Sequence, residues 1–361
     1  MRRLASIQIL RAAAALSVAL FHACQWSKAD FAVGAAGVDL FFVISGFVLW
    51  VACEARPATP AAFLLARAER IAPLYWIVTL AVAAGAAWRP QALPIIHPQA
   101  SHLVLSLLLV PHDDPAGGPF PLLPTGWTLT YEAFFYVAMA LALAAPKDRR
   151  WSILSGVLIA TALVGFGYHG WYTLLANPLL LEFLAGALLA RLWLKGRFKR
   201  LPGWSGWGLI AGGVLTLLAQ QVGGLRDDFL RPFVWGPPAV MIVAGVLKLE
   251  ADGRIGTGPV ARILTAQGDA SYSLYLVQAP VIAVLAWLTP GWLALVRAPL
   301  SLAAAVAAGG VCWAALERPI GLTLLALRRR LHHLPAAHRR GGRGLRTTEQ
   351  EALPALDADL A

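Results

Sequence analysis

Apolar residues in this chain come in runs of about twenty, separated by short polar stretches, and the runs carry almost no polar stripe of the kind a water-facing helix needs. Ten runs can be read, at about 7–26, 33–53, 71–88, 127–145, 151–167, 173–193, 206–222, 232–248, 270–289 and 292–314. A helix of about twenty apolar residues is long enough to cross the hydrocarbon layer. The pattern therefore predicts an all-α, polytopic helical membrane protein with about ten transmembrane helices. One further apolar stretch, 102–110, is too short to cross and is expected to re-enter or to lie at the interface.

The polar positions between the runs fix sidedness. With the N-terminus inside, the cytoplasmic segments hold Arg2, Arg3, Arg56, Arg67, Arg70, Lys147, Arg149, Arg150, Lys195, Arg197, Lys199, Arg200, Lys248, Arg254 and Arg262, and the tail from Arg328. The outer segments hold only Arg89, Arg226 and Arg231. This positive-inside asymmetry predicts that both termini are cytoplasmic, and a multi-pass protein of the plasma (inner) membrane is expected. Residues 1–320 form the membrane domain, and 321–361 read as a largely disordered tail, basic and then acidic. No cleavable signal is expected, because the first run is long and charged and lacks a small-residue exit.

Composition agrees. The 361 residues are 58% hydrophobic and 14% charged, against about 25% charged in a soluble domain. The net charge of +11 is spread between the runs, so topology explains it better than nucleic-acid binding does. Cys24, Cys53 and Cys312 have neither metal nor redox spacing and read as small buried residues. His97, His102 and His112 share the long outer loop 89–126 with Asp113 and Asp114 but match no zinc pattern, so no metal is expected.

Within the runs, ionisable residues are costly and suggest function. Arg11 and His22 are eleven apart in the first run, hence on one helix face and about 16 Å apart along the axis. The second run returns through GVDLFFVISGF, placing Asp39 at about the depth of His22; Glu132 in WTLTYEAFFY and Glu182 in NPLLLEFLAGALLA fall in the same outer half. An imidazole oriented by a carboxylate is a suitable general base. The plainer alternative is that Asp39 caps its helix. On the inner side, Arg67 and Arg70 share a helix face near the depth of Arg11, an arrangement suited to phosphates, unless the loop arginines serve topology alone. The aromatic runs at Phe41 and Phe134 read as packing, and the glycines of ISGF and FLAGALLA as close helix contacts.

Six segments, in order, resemble the type-three membrane acyltransferases, the polysaccharide and exopolysaccharide O-acyltransferases. They are IQILRAAAALSVALFH, GVDLFFVISGFVL, the R-x-x-R of RAERIAPLYW, WTLTYEAFFY, SYSLYLVQAP and the ERP at Glu317–Pro319, together spanning most of residues 4–320. The resemblance implies transfer of an acyl group, commonly acetyl, from cytoplasmic acyl-coenzyme A to a hydroxyl of an envelope or exported glycan. It makes His22 the catalytic histidine, with Asp39 and Glu132 at acidic catalytic positions, and Arg11, Arg67 and Arg70 the donor-site residues. Trp127, Glu182 and Gln278 are the acceptor-site candidates. The implied partners are acyl-CoA as donor substrate, with no tightly bound cofactor, a glycan or lipid-linked sugar as acceptor, and membrane lipid. At Gln278 the chain departs from the resemblance, since relatives commonly carry histidine there, and glutamine does not carry a proton at neutral pH. A transporter or flippase for an anionic or lipid-linked substrate would also use these arginines and this histidine, but no internal repeat is visible.

Overall fold

The computed structural model describes residues 4–56, 58–165, 177–223 and 231–333. All the regular secondary structure among these residues is helical, with no strand. The helices are α1 (Ala5–Trp26), α2 (Gly37–Ala55), α3 (Pro60–Trp88), α4 (Ala100–Leu107), α5 (Trp127–Leu143), α6 (Arg150–Gly165) and α7 (Leu180–Leu194). They continue as α8 (Ser205–Gly223), the single turn α9 (Arg231–Val234), α10 (Gly236–Ala251), α11 (Pro259–Asp269), α12 (Ser271–Leu288), α13 (Ala294–Cys312) and α14 (Arg318–His333).

Every predicted apolar run contains a helix, and together they make a multi-pass membrane protein. By length and composition alone, five stretches are long and apolar enough to cross: Ala5–Trp26, Ala32–Ala55, Pro60–Trp88, Ser271–Leu288 and Ala294–Arg330.

The second helix starts against the middle of α1. After α1 the chain descends through a 3₁₀ segment, Ala32–Ala36, alongside α1. Ser17 Oγ donates to the Gly34 carbonyl at 3.0 Å. A Cβ on Gly37 would lie 2.4 Å from the Ala14 carbonyl oxygen, so glycine is required for α2 to start in contact with the α1 backbone. Consequently Asp39 sits roughly 10 Å deeper than His22, at 1.5 Å per residue along α1. The expected common depth of these two residues is not found.

α2 is the innermost span and packs on α1, α7 and α10. Against α7 the contact is backbone to backbone: a Cβ on Gly46 would lie 2.0 Å from the Phe183 carbonyl oxygen, and one on Gly186 the same distance from that of Val43. The small residues of ISGF and FLAGALLA thus serve close packing, as small residues do between membrane helices.

The stretch expected to re-enter or to lie at the interface is a short helix packed on α3. Its helix, α4, is about 12 Å long, too short to cross. It lies against the middle of α3, where the Tyr75 hydroxyl donates to the Ser106 carbonyl at 2.9 Å and the Trp76 indole donates to that of Leu107 at 2.8 Å. At the other end, α13 runs through a π-turn, Trp313–Glu317, into α14. The first part of the predicted tail is therefore helical, and Arg328 pairs with Glu69 of α3 at 2.6 Å. The rest of that tail, with Arg226 and the start of the 173–193 run, lies outside the described residues.

Candidate active site

A cavity of about 240 Å³ is walled by α1, α2, α3, α5 and α12. Arg11, Arg56, Arg67 and Arg70 line it, together with Glu132 and Tyr272. Arg67 is buried, with its guanidinium 6.0 Å from the Phe63 ring, and its Nε has no hydrogen-bond partner. A buried donor without an acceptor is costly, and an anion in the cavity would satisfy it.

Arg70, on the same helix face, is already engaged. Its Nη1 donates to Glu317 Oε1 at 2.5 Å and its guanidinium lies 5.6 Å from the Tyr272 ring. Glu317 Oε2 accepts a second bond, from Ser273 Oγ at 2.5 Å. The π-turn aims this carboxylate inward, and so ties α3, α12 and the end of α13 together at the cavity wall.

Glu132 belongs to the same cavity and not to an outer layer with His22. It accepts from Ser45 Oγ at 3.1 Å, and the Tyr136 hydroxyl and the Arg67 charge are its neighbours. One α-turn thus sets Glu132 and Tyr136 on one face of α5, looking across at Arg67.

Asp39 and Glu182 form a separate cluster. Asp39 is fully buried and holds Arg231 through three contacts, the shortest 2.7 Å from Nη2 to Oδ2. The same Nη2 donates to the Ala35 carbonyl at 2.8 Å. The Arg231 guanidinium lies 4.8 Å from the Trp235 ring and 5.7 Å from that of Trp127. Glu182, 3% exposed, stands beside Asp39, and both its carboxylate oxygens lack hydrogen-bond partners. Each carboxylate lies in the first turn of its helix, where the helix dipole favours negative charge. The expected convergence of His22, Asp39, Glu132 and Glu182 on one layer is not found: Glu132 lines the cavity, Glu182 stands beside Asp39, and α2 starts part-way along α1.

His22 sits apart from the cavity, next to Gln278 of α12. The histidine Nδ1 and both amide atoms of Gln278 are buried without a hydrogen-bond partner. An imidazole and an amide with unmet hydrogen-bonding capacity face each other, which is a setting for a bound hydroxyl.

Sequence reasoning missed Arg231, assigned to topology alone, and Glu317, whose motif had been noticed without a role. It also missed Arg56, Ser45 and Tyr136 in the cavity wall. For the first, the available signal was an arginine at the head of an apolar run and an aspartate inside another.

Comparison with known proteins completes the description. Residues 4–316 match the family described as "Acyltransferase domain". The chain belongs to the acyltransferase family. The exopolysaccharide production protein ExoZ of Rhizobium meliloti (strain 1021) is 38% identical over 310 residues, covering 83% of this chain and 94% of that protein. The acyltransferase MdmB of Streptomyces mycarofaciens is 28% identical over 379 aligned positions, covering 91% of this chain and 94% of that one. No solved structure matches this acyltransferase.

Proposed function

We propose that this acyltransferase is a ten-span inner-membrane enzyme, both termini cytoplasmic, that moves an acyl group, commonly acetyl, from cytoplasmic acyl-CoA to a hydroxyl of an exported or envelope glycan. The observation that carries the donor side is the buried, unpartnered Nε of Arg67 in a cavity that Arg11 and Arg56 also line. Three guanidiniums suit the phosphates of the coenzyme. At about 240 Å³ the cavity is smaller than the 300–1,000 Å³ of pockets that enclose a drug-sized ligand, so it suits the slender pantetheine arm, with the nucleotide at the mouth. Arg70, fixed by Glu317, shapes that wall.

His22 is the general base. It takes the proton of the acceptor hydroxyl as that oxygen attacks the thioester carbon; the C–S bond breaks, the C–O ester bond forms, and the proton passes to the leaving thiolate. Gln278 holds the acceptor hydroxyl, and Glu132 and Tyr136 hold the donor arm. Asp39, committed to Arg231, acts through the architecture of the acceptor side, where Trp127 and Glu182 also stand. The relative ExoZ is an exopolysaccharide production protein, which favours a glycan acceptor.

The test is transfer of labelled acetyl from acetyl-coenzyme A to a panel of exported glycans by the purified protein. His22→Ala should lose transfer while still binding coenzyme A, and Arg67→Ala should weaken donor binding. Wild-type transfer by His22→Ala would remove the base assignment. Failure of the wild type to bind coenzyme A at all would favour the flippase reading instead.

A further inference from the structure

Arg67 and Arg70 stand on α3 just before a proline inside that helix, Pro73. Proline has no N–H, so the carbonyl of Glu69, four residues back, has nothing to accept from at position 73, and the ring crowds it. Helices bend most readily at such a turn. Hydrogen bonding within α3 alone therefore does not fix where its two guanidiniums stand relative to the rest of the helix.

Three contacts from the C-terminal third of the chain fall on this turn, at three consecutive residues. Arg328 of α14 pairs with Glu69 at 2.6 Å. Glu317 of the π-turn pairs with Arg70 at 2.5 Å and accepts from Ser273 of α12 as well. The Tyr272 hydroxyl donates to the Ile71 carbonyl at 2.8 Å. The two ion pairs run in opposite senses, with the carboxylate on α3 in one and the cation on α3 in the other. Exchanging partners would set like charges together, so the C-terminal segment seats on α3 in one register only. Arg67, Arg70, Ile71 and Tyr272 all line the cavity, whereas Glu69, Glu317 and Arg328 stand outside its lining.

We propose that α14, with the π-turn before it, is a splint for the proline-weakened turn of α3, and that Glu69, Glu317 and Arg328 are positioning residues for the cavity's arginines. The inference rests on the acyl-CoA reading of that cavity. The three residues act through Arg67 and Arg70 and do not touch the donor. A guanidinium displaced by about 1 Å already loses much of its effect on a bound group. The Glu69–Arg328 pair is only partly buried, and such pairs add little to global stability, so its value lies in placement.

The experiment is calorimetric titration of coenzyme A into the purified 361-residue protein, with thermal midpoints recorded in parallel. Arg328→Ala and Glu69→Ala should each weaken binding about three- to tenfold while the midpoint stays close to that of the wild type. The charge swap, Glu69→Arg with Arg328→Glu, should restore most of the affinity. Glu317→Gln, whose amide can still accept from Ser273, should weaken binding by about tenfold or more. Pro73→Ala returns an N–H to the Glu69 carbonyl, so adding Arg328→Ala in that background should cost less affinity than in the wild type. Unchanged affinity in both Arg328→Ala and Glu69→Ala overturns the splint, and so does an equal loss with and without Pro73. A fall in midpoint without a fall in affinity assigns the contacts to stability alone and overturns it too. Tighter binding by Glu317→Gln would make Glu317 a competitor of the ligand for Arg70, which contradicts a positioning role. If the wild type does not bind coenzyme A, the donor reading itself falls, a failure visible before any variant is compared.

Discussion

Asp39 and His22 show how differently two buried polar side chains can be held. Asp39 carries Arg231 on its carboxylate, so removing either partner strands the other charge. Breaking a buried pair costs about 3–5 kcal/mol, whereas removing both costs far less than the sum. Asp39→Ala and Arg231→Ala should each lower the thermal midpoint of the purified protein strongly, and the double variant should recover much of it. Additive losses would mean that the pair is not a unit. His22 is the opposite case. Its Nδ1 is bonded to nothing, so His22→Ala should leave the midpoint nearly unchanged while transfer falls by about 10²–10⁴-fold, the usual contribution of a general base. The sequence disclosed that these residues are costly, because charge inside an apolar run is visible as such. It did not disclose their partners, because Arg231 is 192 positions from Asp39 and no local pattern links them.

At the scale of helices, the presence of a helix in each apolar run was readable, since hydrophobic length is a local property, although the third starts at Pro60, eleven residues before its run. Where each helix begins in depth was not. That depends on contacts such as Gly37 against the Ala14 carbonyl, which seat α2 far down α1 and scatter the expected layer of carboxylates. The glycines carry their own prediction. With a Cβ at 2.0 Å from opposing carbonyl oxygens, Gly46→Ala and Gly186→Ala must push α2 and α7 apart, at a cost of about 1–3 kcal/mol as for other overpacked sites. Midpoint shifts as small as those of exposed Gly156→Ala would contradict this contact. The segment around α4 should respond to acid. His102 is buried, its Nδ1 is 2.7 Å from His112 Nε2, and its Nε2 stands 3.3 Å from Asp114 Oδ2; His97 meets the same carboxylate at 3.1 Å. Burial lowers the His102 pKa, His112 and His97 add to this, and Asp114 opposes it. The folded state therefore binds this proton more weakly than the unfolded one does, so its contribution is intact above about pH 6.5 and lost as pH falls through the lower folded value. Hydrogen exchange of the α4 amides should quicken below about pH 6 in the wild type and less so in His102→Gln; protection that stays flat with pH would count against it.

For the whole molecule, the arginine-lined cavity draws on five helices from both ends of the chain, so an occupant should stabilise the entire fold. A ligand at a hundredfold excess over its Kd adds about 2.7 kcal/mol. Coenzyme A should raise the unfolding midpoint of the wild type, and Arg67→Ala should abolish that rise at the same concentration. Equal rises in both would exclude Arg67 from the donor site.

The Asp39–Arg231 pair also sets a timetable. Asp39 enters the membrane with the second helix, and at about 5–20 residues per second its cation is synthesised roughly 10–40 s later. Throughout that interval the nascent chain holds a carboxyl group in hydrocarbon with nothing opposite it, at a cost of about 2.5–3.5 kcal/mol. Chains that stop before residue 231 never close this gap and should be cleared from cells faster than the full-length protein, which pulse-chase of the two would show.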